Sequence, residues 1–493
     1  MAELDRRRRL LVLSICCMSL LIVGLDTTIV NVALPSIHRE LHASVSGLQW
    51  TIDAYTLVLA SLLMLSGSTA DRIGRRRVFQ IGLVVFSVGS LCCGLAPSLS
   101  LLITFRVIQA VGGSMLNPVA MSIIRNVFED PRERAQAIGM WGAVFGLSMA
   151  IGPVVGGALV SAVSWRAVFF VNVPIGLAAI VLTAVYVPES RAARPRRIDP
   201  VGQVLVIAGL AGFTYAIIEG PLVGWTSGQT LVVFAAAVLS LAALVPYELR
   251  HPEPLLEMRF FRSAPFSGAS LIAVLAFAGV GGFLFLNTIY LQTVRGLSPL
   301  DAGLYLLPMA AMILLCAPIS GRIVGRRGSR LPLLLAAGAL LAGALMLTRI
   351  TPATAVGYLF GAYFLFGVGN GLVNVPITNT AVTGMPASQA GVASAVASTS
   401  RQVGMTLGVA VIGAVSGGAL GTGIGRGFAQ ATHAGWWIVV GLAATIGLVA
   451  AMTTGDWARS TAHRTARRLI GDAAGGDVSA EPVRATARAP EHG

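Results

Sequence analysis

The sequence predicts an all-α integral membrane protein with fourteen transmembrane helices, arranged as two six-helix bundles with two further helices inserted between them. Three observations lead to this fold class. The chain of 493 residues is 55% hydrophobic and only 11% charged, with a mean hydropathy of +0.79, whereas soluble domains are about a quarter charged. Apolar runs of about twenty residues recur along most of the chain, and each can span a bilayer as a helix. A pattern of glycine and arginine in the first half returns in the second half.

The apolar runs divide into fourteen predicted spans. They cover residues 10–34, 47–66, 78–96, 100–123, 135–160, 167–187, 200–219, 230–247, 265–291, 301–320, 331–350, 355–376, 391–416 and 434–455. Because the number of crossings is even, both ends of the chain are predicted to lie on the same side of the membrane.

The basic residues predict which side that is. All 35 are arginine, and 28 of them fall on one side of the predicted spans, together with both termini. The five on the other side are Arg39, Arg166, Arg295, Arg349 and Arg426. Such a bias predicts cytoplasmic termini, and it accounts for the net charge of +14 better than nucleic-acid binding does. The absence of lysine excludes a Walker-type ATP site and a Schiff-base cofactor.

An internal repeat defines the predicted domains. A shift of about 254 residues aligns Gly67 with Gly321, Arg72 with Arg326, Gly74 with Gly328 and Arg76 with Arg330. Parallel repeats of this kind are typical of transporters with a central site. The predicted domains are a six-helix bundle at 1–190, a linker with two extra helices at 191–262, a second bundle at 263–456 and a disordered cytoplasmic tail at 457–493.

Four segments of the first half carry recognisable motifs. They are residues 25–35, the loop set Gly67, Asp71, Arg72, Gly74, Arg75 and Arg76, the fourth-span set Arg106, Gln109 and Gly112, and the fifth-span set Gly142, Gly146, Gly152, Pro153, Gly156 and Gly157. Together they resemble the major facilitator superfamily, specifically its fourteen-helix drug:proton antiporter family of multidrug and antibiotic exporters, from about Leu10 to Asp456. The resemblance implies proton coupling for the fourth-span motif and conformational switching for the loop and fifth-span sets. In the second half Gly325 stands where the repeat would place another aspartate.

Three charged residues fall inside predicted spans of the first half. Asp26, Asp53 and Arg106 lie at similar predicted depths, and each would cost about 2.5–3.5 kcal/mol if it faced lipid. We therefore expect them to face an internal cavity, where Arg106 keeps one carboxylate ionised while the other takes up a proton. A purely structural ion pair is the alternative. Glu219, at the outer end of span seven, is a further candidate for proton entry.

Polar side chains also mark a predicted cavity wall. The candidates are Asn31, Gln109, Gly113, Asn117, Asn370, Asn374, Ser398 and Arg401. Several share one face of span four, which indicates water or substrate opposite that face; hydrogen bonding between helices is the alternative. The fifth-span glycines predict close helix packing, and Pro153 predicts a bend. Asp71 is expected to attract Arg72, Arg75 or Arg76, with a plain topological anchor as the alternative.

These features predict a secondary transporter of the bacterial inner membrane. The leading hypothesis is proton-driven export of lipophilic drugs, cationic ones included, by a monomer that needs no cofactor or metal and contacts only its small-molecule substrate, protons and membrane lipids. A proton-coupled uptake symporter for a small metabolite is the alternative. A membrane enzyme acting on lipids belongs to another class, and it lacks a visible set of nucleophiles or metal ligands within the spans. A sensor would usually bring a soluble output domain.

Overall fold

The structure is a computed structural model, and it describes residues 5–192, 198–385, 389–418 and 432–474. Within these ranges the chain forms helices and no strands. The helices are α1 Arg6–Leu41, α2 Val45–Ile73, α3 Arg75–Gly94, α4 Leu99–Val127, α5 Pro131–Ala162, α6 Ala167–Tyr186, α7 Pro200–Val223, α8 Gly228–Arg250, α9 Ala264–Val294, α10 Pro299–Arg327, α11 Arg330–Leu347, α12 Val356–Val382, α13 Ala390–Gly418, α14 His433–Thr453 and α15 Asp456–Ala474.

Three of these helices change geometry within the span. In α6, Ala167–Phe170 and Asn172–Tyr186 are separate helical stretches, and α10 divides similarly after Tyr305. The last turn of α9, Tyr290–Val294, is a π-helix. Before α9, residues Met258–Arg262 form a 3₁₀ turn.

Helices α1–α14 confirm the predicted all-α membrane fold. Thirteen of them are long and apolar enough to cross a bilayer, and α13, with 29 residues, occupies the predicted thirteenth span. Several begin at a serine or aspartate whose side chain accepts a hydrogen bond from a free amide of the first turn. Ser44, Ser98, Asp130, Asp199, Ser227 and Ser298 act in this way.

The packing of the helices repeats between the two halves. In the first bundle α1 packs on α5 and α6, α2 packs on α4, and α3 packs on α4 and α6. In the second bundle α9 packs on α13 and α14, α10 packs on α12, and α11 packs on α12 and α14. The second pattern is the first shifted by eight helices, because α7 and α8 are the inserted pair.

The two bundles meet along two seams. One seam joins α2 to α13 and the other joins α5 to α10. The inserted helix α7 packs on both α2 and α13, and α8 packs on α7. The inserted pair therefore lies along the α2–α13 seam.

Helices α5 and α10 are in contact at one end of their seam and separate toward the other end. We call the end that carries the start of α1 and the loop after α2 the arginine-rich face. Near the opposite face, a Cβ atom on Gly157 would lie 2.4 Å from the Pro299 carbonyl oxygen, so the backbones touch. Toward the arginine-rich face, a Cβ atom on Gly142 or Gly325 would meet no described neighbour within 4 Å. Contacts of this kind between α5 and α10 are thus absent at Gly142 and Gly325.

The fifth-span glycines consequently serve two different surfaces. Gly152 and Gly156 allow α1 to approach, since their Cβ positions lie 2.0 Å from Thr28 Oγ1 and 2.7 Å from Ile29 Cγ1. Close packing is therefore confirmed there and at Gly157. The same prediction is wrong for Gly142 and Gly146, where a Cβ atom would meet no described neighbour within 4 Å.

Replacing Gly303 with alanine is expected to weaken this closed seam. Its Cβ would lie 2.3 Å from the Pro153 carbonyl oxygen, so the seam must shift at a cost of about 1–3 kcal/mol. In a background without the native cysteines, Ser161→Cys near the seam should react at least about fivefold faster with a membrane-impermeant maleimide when Gly303→Ala is present. Gly139→Ala is the matched control, because nothing lies within 4 Å of its Cβ position. Equal acceleration by both changes would contradict the seam contact.

The carboxyl-terminal segment differs from its prediction. Residues 457–474 were predicted to begin a disordered tail, and that is wrong, because α15 covers them. One face of α15 packs against the rest of the protein, and Ala458, Ala462 and Leu469 are buried there. The arginine-rich composition of this segment did not indicate such packing. Residues 475–493 and Arg426 lie outside the described residues.

Candidate functional site

A buried carboxylate, Asp26 of α1, lies at the centre of the first bundle. It is 0% exposed. Its Oδ2 accepts a hydrogen bond from Arg106 Nη1 at 2.5 Å, and its Oδ1 accepts bonds from Gln109 Nε2 at 2.9 Å and Asn172 Nδ2 at 3.1 Å. These donors come from α4 and α6. The Asp26 carboxylate thus accepts three hydrogen bonds from two neighbouring helices.

The guanidinium of Arg106 has further partners besides Asp26. Its Nε donates to the Thr51 carbonyl at 3.1 Å and its Nη1 donates to Gln109 Oε1 at 2.8 Å. The Tyr55 ring lies 4.1 Å from its Cζ atom, close enough for a cation–π contact. The pair of Asp26 and Arg106 thus ties α1, α2, α4 and α6 together.

Sequence reasoning missed Asn172. This side chain also donates to Ser90 Oγ at 3.1 Å, so it joins α3 and α6 to the Asp26 network. The sequence does contain a signal for this residue, because Asn172 is an isolated amide in the apolar sixth span.

Asp53 lies apart from this network, although the sequence places it at a similar depth. It is 0% exposed, and neither carboxylate oxygen has a hydrogen-bond partner among the described residues. Thr51 and Tyr55 face Arg106, so Asp53, two residues from each, points to another side of α2. Asp26 and Asp53 lie at similar depths, but the periodicity of α2 directs the Asp53 side chain away from the Asp26 network.

The neighbours of Asp53 on α2 face the second bundle. Gln49, four residues earlier, donates to the carbonyls of Val409 and Ala410 at 3.1 and 2.9 Å. Thr56, three residues later, accepts a hydrogen bond from Thr406 at 2.8 Å. Residues at these spacings share one helix face, so Asp53 lies on the α2–α13 seam.

Glu219 fastens the inserted helix α7 to the same part of α2. Its Oε1 accepts a hydrogen bond from Trp50 Nε1 at 2.8 Å. Trp50 is three residues from Asp53, so Glu219 belongs to the neighbourhood of the α2–α13 seam rather than to the Asp26 network.

A narrow cavity of about 50 Å³ lies between the bundles. Its walls come from α1, α5, α9, α10 and α12 and are mostly apolar. The lining residues are Thr28, Phe145, Gly146, Met149, Ala150, Pro153, Phe277, Val280, Leu284, Leu306, Met309, Ala310, Ile313, Asn370 and Asn374. Of the predicted wall residues, Asn370 and Asn374 line this cavity.

Other predicted wall residues lie inside the helix packing of the first bundle. Gln109 is 0% exposed within the Asp26 network. Gly113 packs against Leu59 and Tyr55. Asn31 donates to carbonyls of its own helix, and the amide oxygen of Asn117 is buried without a partner among the described residues. Arg106, Gln109 and Gly113 of the α4 stripe thus serve contacts between helices, which was the alternative interpretation, whereas Asn117 is only partly buried.

Arg401 of α13 approaches the cavity from the second bundle. Its Nη2 donates to Thr378 Oγ1 at 2.5 Å and to the Asn374 carbonyl at 3.5 Å, and its Nη1 donates to Ser398 Oγ at 3.4 Å. Its Cζ atom lies 6.0 Å from the ring centre of Phe277. Since Asn374 and Phe277 line the cavity, the guanidinium lies at its edge.

Comparison with known proteins decides the family. Residues 16–409 match the Major Facilitator Superfamily. The chain belongs to this superfamily.

Relatives within the superfamily resemble the chain over most of its length. It is 39% identical to the multidrug resistance protein Stp of Mycobacterium tuberculosis over 81% of this chain and 74% of that protein. It is likewise 39% identical to the tetracenomycin C resistance and export protein of Streptomyces glaucescens, over 78% and 72%. The multidrug efflux pump LfrA of Mycolicibacterium smegmatis is 35% identical, over 80% and 78%.

A solved structure of the superfamily shares the fold. The inward-facing, occupied form of a bacterial homologue of the human lysosomal transporter Spinster aligns with a TM-score of 0.63 and 18% identity, over 95% of this chain and 99% of that one. The family match and the named relatives together make the protein a multi-pass transporter of a bacterial cell membrane.

The superfamily's loop motif forms a compact cluster after α2. Asp71 pairs with Arg75 at 2.9 Å, which selects one of the three predicted partners. Arg76 donates to the Ala184 carbonyl at 2.6 Å. Gly74 has φ = 127°, and a Cβ there would meet the Glu189 carboxylate at 2.7–2.9 Å, so glycine is required. Gly328, its counterpart in the repeat, also has positive φ, at 75°.

The contacts of this loop stay within the first half of the chain. Arg72 and Gly67 belong to the same motif at the end of α2, and a Cβ on Gly67 would come within 3.8 Å of Pro118 of α4. A partner from the second bundle is not among the contacts described for Asp71, Arg75 or Arg76.

Proposed function

We propose that the protein exports lipophilic small molecules from the bacterial cytoplasm in exchange for protons, by alternating access between the two bundles. The observation that carries the proposal is the division between two buried carboxylates. Asp26 is fully hydrogen-bonded to fixed donors, whereas Asp53 is unpaired on a seam that must open and close. A gradient-driven exchanger needs such a titratable group at a moving interface.

The orientation follows from charge. The arginine-rich face is placed in the cytoplasm, with both termini, because arginine accumulates on the cytoplasmic side of membrane proteins. The end of the α5–α10 seam that lacks close glycine contacts then faces the cytoplasm, where an exporter collects its substrate. One chain supplies both bundles, so a monomer suffices.

Asp26 and Arg106 supply a fixed electrostatic centre. Breaking a buried pair leaves an uncompensated charge at a cost of about 3–5 kcal/mol. The pair therefore holds the first bundle together as one body in this conformation. The pair sets the electric field and the helix geometry around Asp53, the second buried carboxylate.

Asp53 is proposed as the group that takes up the proton. An ionised carboxylate enclosed in the α2–α13 seam without a donor would carry a desolvation penalty of several kcal/mol, and protonation removes that penalty. When α2 and α13 separate, the carboxylate reaches external water and exchanges its proton. Closure of the outer seam is thereby linked to proton uptake.

The cavity and the relatives support a lipophilic substrate. Apolar, methionine- and phenylalanine-bearing walls accept varied molecules without specific hydrogen bonds. The relatives named above are called multidrug resistance, export and efflux proteins. Asn370 and Asn374 offer the polar contacts that orient such a molecule.

Transport in everted membrane vesicles tests the function. Respiration acidifies the vesicle lumen, so the exporter should accumulate a lipophilic dye inside the vesicles and release lumenal protons as it does so. Nigericin, which collapses the pH gradient, should abolish accumulation. Accumulation that survives nigericin would overturn proton coupling, and proton-linked movement out of the vesicles would identify an uptake symporter. Dye fluorescence and a lumenal pH probe report the two fluxes.

A further inference from the structure

Arg401 stands out because its charge has no acidic partner. Among the described residues its guanidinium donates only to hydroxyl and carbonyl oxygens and lies over the Phe277 ring, and its Nε is buried without a hydrogen-bond partner. An arginine within the membrane interior ordinarily pairs with a carboxylate or marks a ligand pathway. The positive charge at Arg401 is therefore uncompensated in this conformation.

The other charges within the bundles do not neutralise it. Asp26 is already paired with Arg106, at 2.5 Å. Asp53 is buried on the α2–α13 seam, on the face that carries Gln49 and Thr56. The middle of α9, α12 and α14 contains no charged residue. The edge of the cavity thus has a net positive charge beside apolar walls.

We propose that the exported molecules are organic acids whose anionic group binds Arg401 and whose apolar body enters the cavity once the bundles have moved apart, since a volume of about 50 Å³ is too small for a drug-sized molecule. This inference rests on the proposed function and names its substrate class, and it replaces the expectation that cationic drugs are included. A guanidinium forms a planar fork that matches a carboxylate with two parallel hydrogen bonds. The hydroxyls of Thr378 and Ser398 already contact the guanidinium, and Asn370 and Asn374 line the same cavity.

A structural role is the competing explanation for Arg401. Its bonds to Thr378 and to the Asn374 carbonyl join α13 to α12, and such bonds alone would stabilise the second bundle. A structural arginine would affect all ligands equally. An anion-binding arginine would affect only acidic ones, so matched ligands separate the two roles.

Three probes with one ring system provide that comparison. Pyrenebutyric acid, its methyl ester and a pyrenebutyl trimethylammonium salt carry charges of −1, 0 and +1. Binding is measured by fluorescence anisotropy on the purified full chain in lipid nanodiscs, with empty nanodiscs subtracted. The variants are Arg401→Gln and Arg401→Lys, and Arg349→Gln serves as a control that removes one arginine near the opposite face.

The wild type should bind the acid more tightly than the ester and the ester more tightly than the cation. Arg401→Gln should weaken the acid about 10- to 100-fold and change the ester less than about twofold, whereas Arg401→Lys should retain part of the preference. Equal wild-type affinity for acid and ester would overturn the proposal, as would unchanged acid binding in Arg401→Gln. If Arg401→Gln fails to fold, the ranking of the three probes by the wild type decides.

The proposed function is judged separately, by pumping in everted vesicles. If the wild type exports the ester in exchange for protons but shows no preference for the acid, the substrate class fails and the exchange survives. If no probe is pumped, the proposed function fails, while the binding measurements still decide the role of Arg401.

Discussion

Replacing Arg106 with glutamine is expected to produce the largest loss of both stability and transport. Asp26 would lose its charged partner at 2.5 Å while remaining fully buried, at a cost of about 3–5 kcal/mol. The apparent melting temperature of the purified protein should fall sharply, and dye accumulation driven by a pH gradient should disappear. Differential scanning fluorimetry and the everted-vesicle assay measure the two effects.

The double variant Asp26→Asn with Arg106→Gln separates folding from coupling. Both charges are then absent, so most of the lost stability should return, because the buried unpaired charge is what destabilises the single variant. Transport should remain absent if the pair sets the field for proton exchange. Full transport by the double variant would show that the pair is only a structural contact.

Replacing Asp53 with asparagine is expected to uncouple the exchanger while leaving it folded. Asparagine has the shape of a protonated aspartate, which is the form that suits a buried position without a donor, so thermal stability should be unchanged or slightly higher. Substrate-induced proton release should fall at least about tenfold, because the seam can then close without a proton. The seam-closed conformation should be more populated than in the wild type.

Thr406→Val provides the matched control for Asp53. It removes the hydroxyl that donates to Thr56 across the same seam but leaves Asp53 and the Thr56 hydroxyl beside it in place. Its proton exchange should therefore remain close to that of the wild type. If Thr406→Val and Asp53→Asn lose coupling equally, packing of the seam, and not titration at Asp53, is what matters.

Much of the fold could be predicted because the bilayer imposes simple constraints. A lipid-facing backbone must satisfy its hydrogen bonds within each helix, so long apolar runs predict helices directly. The repeat aligned Gly74 with Gly328, and both adopt positive φ at the end of a helix. The tail was misjudged because α15 is stabilised by packing against the protein, which its polar composition does not reveal.

The candidate site was predicted less completely, because side-chain partners depend on helix rotation as well as depth. The sequence predicted that Arg106 would hold one of the two carboxylates but not which one; Asn172 went unnoticed, and Gly113 was placed on the wrong surface. Gly142 and Gly152 belong to the same motif, yet one faces open space and the other contacts α1. A single helix can serve two surfaces, and its sequence does not say which residue serves which.

The sequence by itself determined that this chain lives in a membrane, crosses it as two repeated bundles and keeps four charges inside, since the energetic cost of exposing polar groups to lipid leaves few alternatives. Only the tertiary structure decided how those charges are used. It paired Asp26 with Arg106, set Asp53 on the α2–α13 seam and left Arg401 without an acidic partner at the edge of the cavity. The physical reason is that burial depends on one helix at a time, whereas an ion pair depends on the relative rotation of several helices, which packing alone fixes.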